Sequence, residues 1–80
     1  MSALRDADVR MALAERLRAA MDARGVTRHA LAKAIHVTPS AVYWWAEGRR
    51  EPSAESIRRV CYALEVSADW LLGLKGEMER

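Results

Sequence analysis

Eighty residues with a net charge of +2 and a 51% apolar share allow one small folded domain and exclude a disordered chain. The single cysteine, Cys61, excludes a disulfide framework within one chain, and no apolar run approaches the roughly 18 residues of a membrane span. The opening residues Met1-Ser2-Ala3-Leu4-Arg5 lack the apolar stretch of a secretory signal, so a cytoplasmic protein is expected, with Cys61 as a small buried hydrophobe.

Strand patterning is nearly absent, and the chain reads as five helices. The first is expected from about Asp8 to Ala23. Val9, Leu13, Leu17 and Met21 recur every four residues with Ala20 beside them, so one stripe is apolar. Asp6 or Asp8 can cap its start, and Gly25, free to take a positive φ, stops it. Thr27 caps the second helix, Arg28 to Ile35, whose inner face is Leu31, Ala32 and Ile35. Thr38 precedes the third, with Pro39 at its first position, where a missing N–H costs nothing. That helix ends near Glu47, before Gly48. Pro52 and Ser53 introduce the fourth, with Ile57, Val60, Cys61 and Leu64 as its stripe. Ser67 caps a short fifth helix, Ala68 to Leu72, which Gly73 ends. Residues 1–5 and 75–80 are expected to be flexible.

Charge is uneven along the chain. Residues 24–59 hold seven bases (Arg24, Arg28, Lys33, Arg49, Arg50, Arg58, Arg59) against three acids (Glu47, Glu51, Glu55), for a net of +4. The segment before it is neutral and the segment after it carries a net −2. Such a basic middle suits a polyanionic partner, although clustered charge alone is often only solvated surface.

The second and third helices are joined by only His36-Val37-Thr38, so they must cross steeply, with Val37 plugging the gap. On the third helix Val42, Trp45 and Ala46 have inward spacing. Ser40, Tyr43, Trp44 and Glu47 are left on the outer face, with Pro39 at the tip. Tyr and Trp exposed together on so short a helix call for a partner.

The set Arg24-Gly25-Val26-Thr27, Leu31-Ala32, Val37-Thr38, Val42, Trp45, Glu47-Gly48-Arg49-Arg50-Glu51-Pro52-Ser53 and Ala63-Leu64-Glu65-Val66-Ser67-Ala68-Asp69-Trp70-Leu71-Leu72-Gly73 resembles the Cro and lambda-repressor type of helix-turn-helix domain over roughly residues 13–73. The resemblance implies a compact all-α, five-helix fold whose third helix enters the DNA major groove, usually as a two-fold dimer. It also implies base contacts from Thr38, Pro39, Ser40, Tyr43 and Trp44. Phosphate contacts are implied from Thr27, Arg28, Arg49 and Arg50, where helix N-termini and forked guanidinium groups suit an anion. Trp70, Leu71 and Leu74, in the apolar cluster near the C-terminus, are the expected dimer seam, with some of that cluster capping the core. The partner implied is double-stranded DNA bearing an inverted-repeat operator. No cofactor, metal, small-molecule ligand or membrane is implied.

The chain departs from the family pattern in three places. Arg28 stands where Gln is frequent, His36 where Gly is usual, and Ala46 where Glu is frequent. His36 must therefore take a left-handed conformation, which His tolerates better than most residues. The whole chain also lacks Asn and Gln, and the third helix lacks Arg and Lys. The bidentate adenine contact is absent, which leaves Ser40 and Thr38 hydroxyls, apolar contact from Pro39 and Ala41 with thymine methyls, and DNA shape.

A stand-alone phage Cro-like repressor, a restriction-modification controller and an antitoxin-type autoregulator all fit this length. A protein-interaction module that kept the fold without DNA binding is the alternative. An enzyme is not indicated. His29 and His36 have no acidic or cysteine partners at ligand spacing, and no nucleophile-base pair or phosphate-cradling glycine loop is present.

Overall fold

Each of the later helices begins on a side-chain hydroxyl. A computed structural model describes residues 6–74 and 76–79 in the order α1 (Asp6–Arg24), α2 (Arg28–Ile35), α3 (Pro39–Ala46), α4 (Ala54–Leu64) and α5 (Ala68–Leu71). The oxygens of Thr27, Thr38, Ser53 and Ser67 accept from the backbone N–H of Ala30, Ala41, Ser56 and Trp70 at 3.0–3.2 Å. Each satisfies one of the N–H groups that a helix start leaves without an internal acceptor. The five-helix all-α architecture is therefore the one the pattern predicts. The first helix starts two residues earlier than expected, at Asp6, and its capping position lies outside the described residues. Residues 1–5, expected to be flexible, also lie outside them.

One core joins all five helices. It comprises Leu13, Leu17, Ala20 and Met21 of α1, Leu31, Ala32 and Ile35 of α2, Val42, Trp45 and Ala46 of α3, Val60, Cys61 and Leu64 of α4, then Val66 and Leu71. α3 packs on both α1 and α2, α4 backs α2, and α5 touches α1 and α4. Val37 and Val26 pack against this core from the two turns flanking α2. Cys61 is buried among these apolar side chains.

The C-terminal ends of α2 to α5 share a second device, invisible to local pattern. Arg59 donates to Ile35 O at the end of α2 at 3.2 Å, and Arg18 donates to Ala46 O at the end of α3. Arg24 donates to Leu64 O at 2.7 Å and Glu65 O at 2.9 Å beyond α4, and Arg16 to Trp70 O at 3.1 Å in α5. Three of these arginines thus satisfy the last carbonyls of α2, α3 and α4, Arg16 adds a donor to a Trp70 oxygen that already accepts from Gly73 N, and all four place positive charge near the negative ends of the helix dipoles.

Among the described residues two non-glycine residues take left-handed backbone, each just after a helix: His36 at φ 63° and Glu65 at φ 54°. The first is the strained turn expected between α2 and α3. The second carried no sequence signal beyond the end of the α4 stripe.

Residues 76–79 do not follow the expectation of a free tail. Ser67 N donates to Met78 O, Val66 and Glu79 form an antiparallel bridge, and Met78 packs on the core. An apolar Met78 and the Arg24–Glu79 ion pair at 3.5 Å draw the segment back. No helix among the described residues is long and apolar enough to cross a membrane.

Candidate nucleic-acid interface

The start of α2 and the outer side of α3 enclose a groove of about 500 Å³ lined by Thr27, Arg28, His29, Pro39, Ser40, Tyr43 and Trp44. The short turn through His36 brings the two elements together. With Val42, Trp45 and Ala46 buried, helical periodicity turns Ser40, Tyr43 and Trp44 outward. Tyr43 is 37% exposed and Trp44 is half-buried, so neither ring is folded into the core.

Three arginines gather on these two rings. The Arg28 guanidinium lies 4.8 Å from the Tyr43 ring centroid, and Arg49 approaches the same ring at 6.0 Å. Arg50 sits over Trp44 at 4.5 Å. Stacking on an aromatic face orders a guanidinium while leaving its in-plane donors available to an anion. None of the three has an acidic partner among the described residues. The other arginines of the basic middle are already engaged. Arg24 pairs with Glu79, and Arg58 and Arg59 both bind Glu55, at 2.7 and 2.9 Å. The hydrogen bonds from Arg58 and then Arg59 hold the Glu55 carboxyl below the usual carboxylate range. The +4 segment therefore resolves into a structural half and a cluster presented around α3.

The two threonines expected at the interface act first as caps. The hydroxyl oxygens of Thr27 and Thr38 accept backbone N–H groups, and each O–H remains to donate. The first-turn N–H groups of Arg28, His29 and Ser40 have no acceptor within their helices, which suits an approaching phosphate. His29 was not among the expected contacts. Its signal lay in its place beside Arg28, in the first turn of α2. Ala41, expected to offer a methyl contact, packs partly against the core. It sits one position before buried Val42 and turns partly inward with it.

The expected seam divides. Leu74 is 60% exposed and Leu72 36%. Trp70 is half-buried under the Arg16 guanidinium, 4.9 Å from its ring centroid. Leu71 must be removed from the seam: at 1% exposure it belongs to the core of its own chain. Both α1 and α4 press on α5, so its one fully inward residue is consumed there. Among the described residues no group of three or more His, Cys, Asp or Glu side chains could hold a metal ion.

The sequence pattern of the helix-turn-helix domain matches residues 12–71. Two crystal structures of the clp gene regulator ClgR from Corynebacterium glutamicum are similar at 38% identity. One has a TM-score of 0.76 and covers 80% of this chain and 68% of the other. The second has a TM-score of 0.74 and covers 80% and 83%. A hypothetical transcription factor, NHTF, from Neisseria has a TM-score of 0.76 at 24% identity over 90% of this chain and 83% of that one, a likeness of fold alone. No curated protein matches the chain.

Proposed function

Because the chain belongs to the helix-turn-helix domain family, we propose that it binds double-stranded DNA through α3 and regulates transcription. The observation that carries this reading is the groove beside α3. Arg28, Arg49 and Arg50, none with an acidic partner among the described residues, ring two aromatics on the outward side of the helix. A polyanion meets positive charge there, together with free helix-start N–H groups. Similarity to a protein described as a clp gene regulator supports the regulatory role.

In this reading Pro39, Ser40, Tyr43 and Trp44, with Thr38 beside them, face base edges in the major groove. Thr27, Arg28, Arg49 and Arg50 hold the strands, and the protein works in the cytoplasm beside its DNA. One helix of this length spans only a few base pairs, so a homodimer acting as a repressor on an inverted repeat is the form proposed. Exposed Leu72 and Leu74, next to Trp70, are the apolar surface available for that seam.

Fluorescence anisotropy on duplex DNA across a salt series tests the proposal. Contact with four to eight phosphates gives log affinity a slope of about −4 to −7 against log salt. Arg28→Ala and Arg49→Ala should each weaken binding to every sequence alike and flatten the slope by about one. Absence of duplex binding at low ionic strength would leave the groove as a site for another protein and end the regulator reading.

A further inference from the structure

We propose that α3 selects its DNA chiefly through pyrimidine C5-methyl groups packed against Trp44 and Pro39, so that individual thymine methyls are specificity determinants of each half-site. The proposal rests on the reading that α3 enters the major groove, and it names what the helix reads there.

In that groove each base pair shows hydrogen-bond donors and acceptors, and thymine alone adds a methyl group. The side chains that read donors and acceptors in pairs are missing from this helix. The chain has no Asn and no Gln, and α3, Pro-Ser-Ala-Val-Tyr-Trp-Trp-Ala, has no Arg, Lys, Asp or Glu. Of its outward residues, Pro39 has neither a side-chain donor nor an N–H. Ser40 has a hydroxyl that can donate or accept and so discriminates weakly. Tyr43 carries Arg28 and Arg49 against its ring.

The arginines come from outside the helix, Arg28 from the start of α2 and Arg49 and Arg50 from beyond the end of α3. Their guanidinium groups stack on the Tyr43 and Trp44 rings, with in-plane donors left for phosphate. Beside the Ser40 and Tyr43 hydroxyls, what α3 itself offers to a base edge is apolar area. Pro39 and Trp44 line the groove together, with the Arg50 guanidinium over the Trp44 ring. Val42 and Ala46 are buried, and Ala41 packs partly against the core. A methyl that leaves water for such a surface gains about fourfold in affinity.

The probe is a duplex recovered by selection from a random-sequence library, in which each thymine is replaced singly by deoxyuridine. Deoxyuridine keeps every hydrogen-bonding group and removes only the methyl. At one or two positions per half-site the replacement should weaken binding about fourfold, with the rest silent. Trp44→Ala should erase the difference between thymine and deoxyuridine at one of those positions at least. Pro39→Ala, which leaves Trp44 in place, should reduce the difference, and circular dichroism checks that each variant is folded. If no deoxyuridine matters while 7-deazaguanine at a guanine costs tenfold or more, an arginine reads guanine N7 and the methyl proposal is overturned with DNA binding intact. A protein that binds no duplex from the selection overturns the regulator reading as well.

Discussion

His36 shows how much a single backbone position can decide. It occupies the left-handed region at φ 63°, ψ 45°, and its N–H reaches Lys33 O at 3.4 Å. Without that turn α3 would not double back, and the groove between Thr27 and Trp44 would not close. A side chain with a Cβ pays about 1 kcal/mol for this conformation, which glycine does not. His36→Gly should therefore raise the stability measured by urea unfolding by about 0.5–1 kcal/mol and leave DNA affinity unchanged. A loss of stability would mean that the imidazole makes a contact worth more than the strain. Thr27 and Thr38 carry a related lesson. Each reads as a cap and as a proposed contact, and one hydroxyl can serve both, because its oxygen accepts from the helix while its hydrogen is left to donate.

At the scale of elements, the helix starts and the helix ends were written differently. The starts were legible because a cap and its helix are adjacent in sequence: Thr27, Thr38, Ser53 and Ser67 each cap the helix that follows. The ends were not, because Arg16, Arg18, Arg24 and Arg59 reach carbonyls 24 to 54 residues away. This division separates two kinds of arginine that composition counts as one. Arg18→Ala and Arg59→Ala should each lower unfolding stability by about 1 kcal/mol, the worth of a partly exposed charged hydrogen bond at a dipole end, and leave the salt slope of DNA binding where it was. The interface arginines, Arg28, Arg49 and Arg50, should behave the other way round. Thermal melts and salt titrations on the same variants check both halves of the contrast, and a flattened slope in Arg59→Ala would put it at the interface.

The whole molecule is small, and that limits what each apolar residue can do. Among the described residues sixteen apolar side chains are buried, and Leu71 is one of them. An apolar cluster at residues 70–74 read as a seam in sequence. Packing takes Leu71 for the core, half-covers Trp70 and leaves Leu72 and Leu74 outside. If the proposed dimer uses this face, Leu74→Glu should shift sedimentation from dimer to monomer without lowering the monomer's helix content. It should also weaken binding to a two-half-site duplex far more than to a single half-site. A Leu74→Glu protein that sediments as the parent does would place the seam elsewhere. The tail at 76–79 follows the same economy: Met78 covers a core that five short helices leave incomplete.

The sequence by itself determined the five helices, the starts of the last four, the inward residues of α3 and the outward ones, because periodicity and capping are local properties of neighbouring residues. It also marked Tyr43 and Trp44 as an exposed pair. Only the tertiary structure decided which arginines belong to the fold and which stand over those rings, that His29 lines the groove while Ala41 packs partly on the core, and that Leu71 and Met78 face inward. Those outcomes depend on which side chains meet across long stretches of chain. A charge or an apolar group has the same letter in the sequence whether a partner reaches it or not.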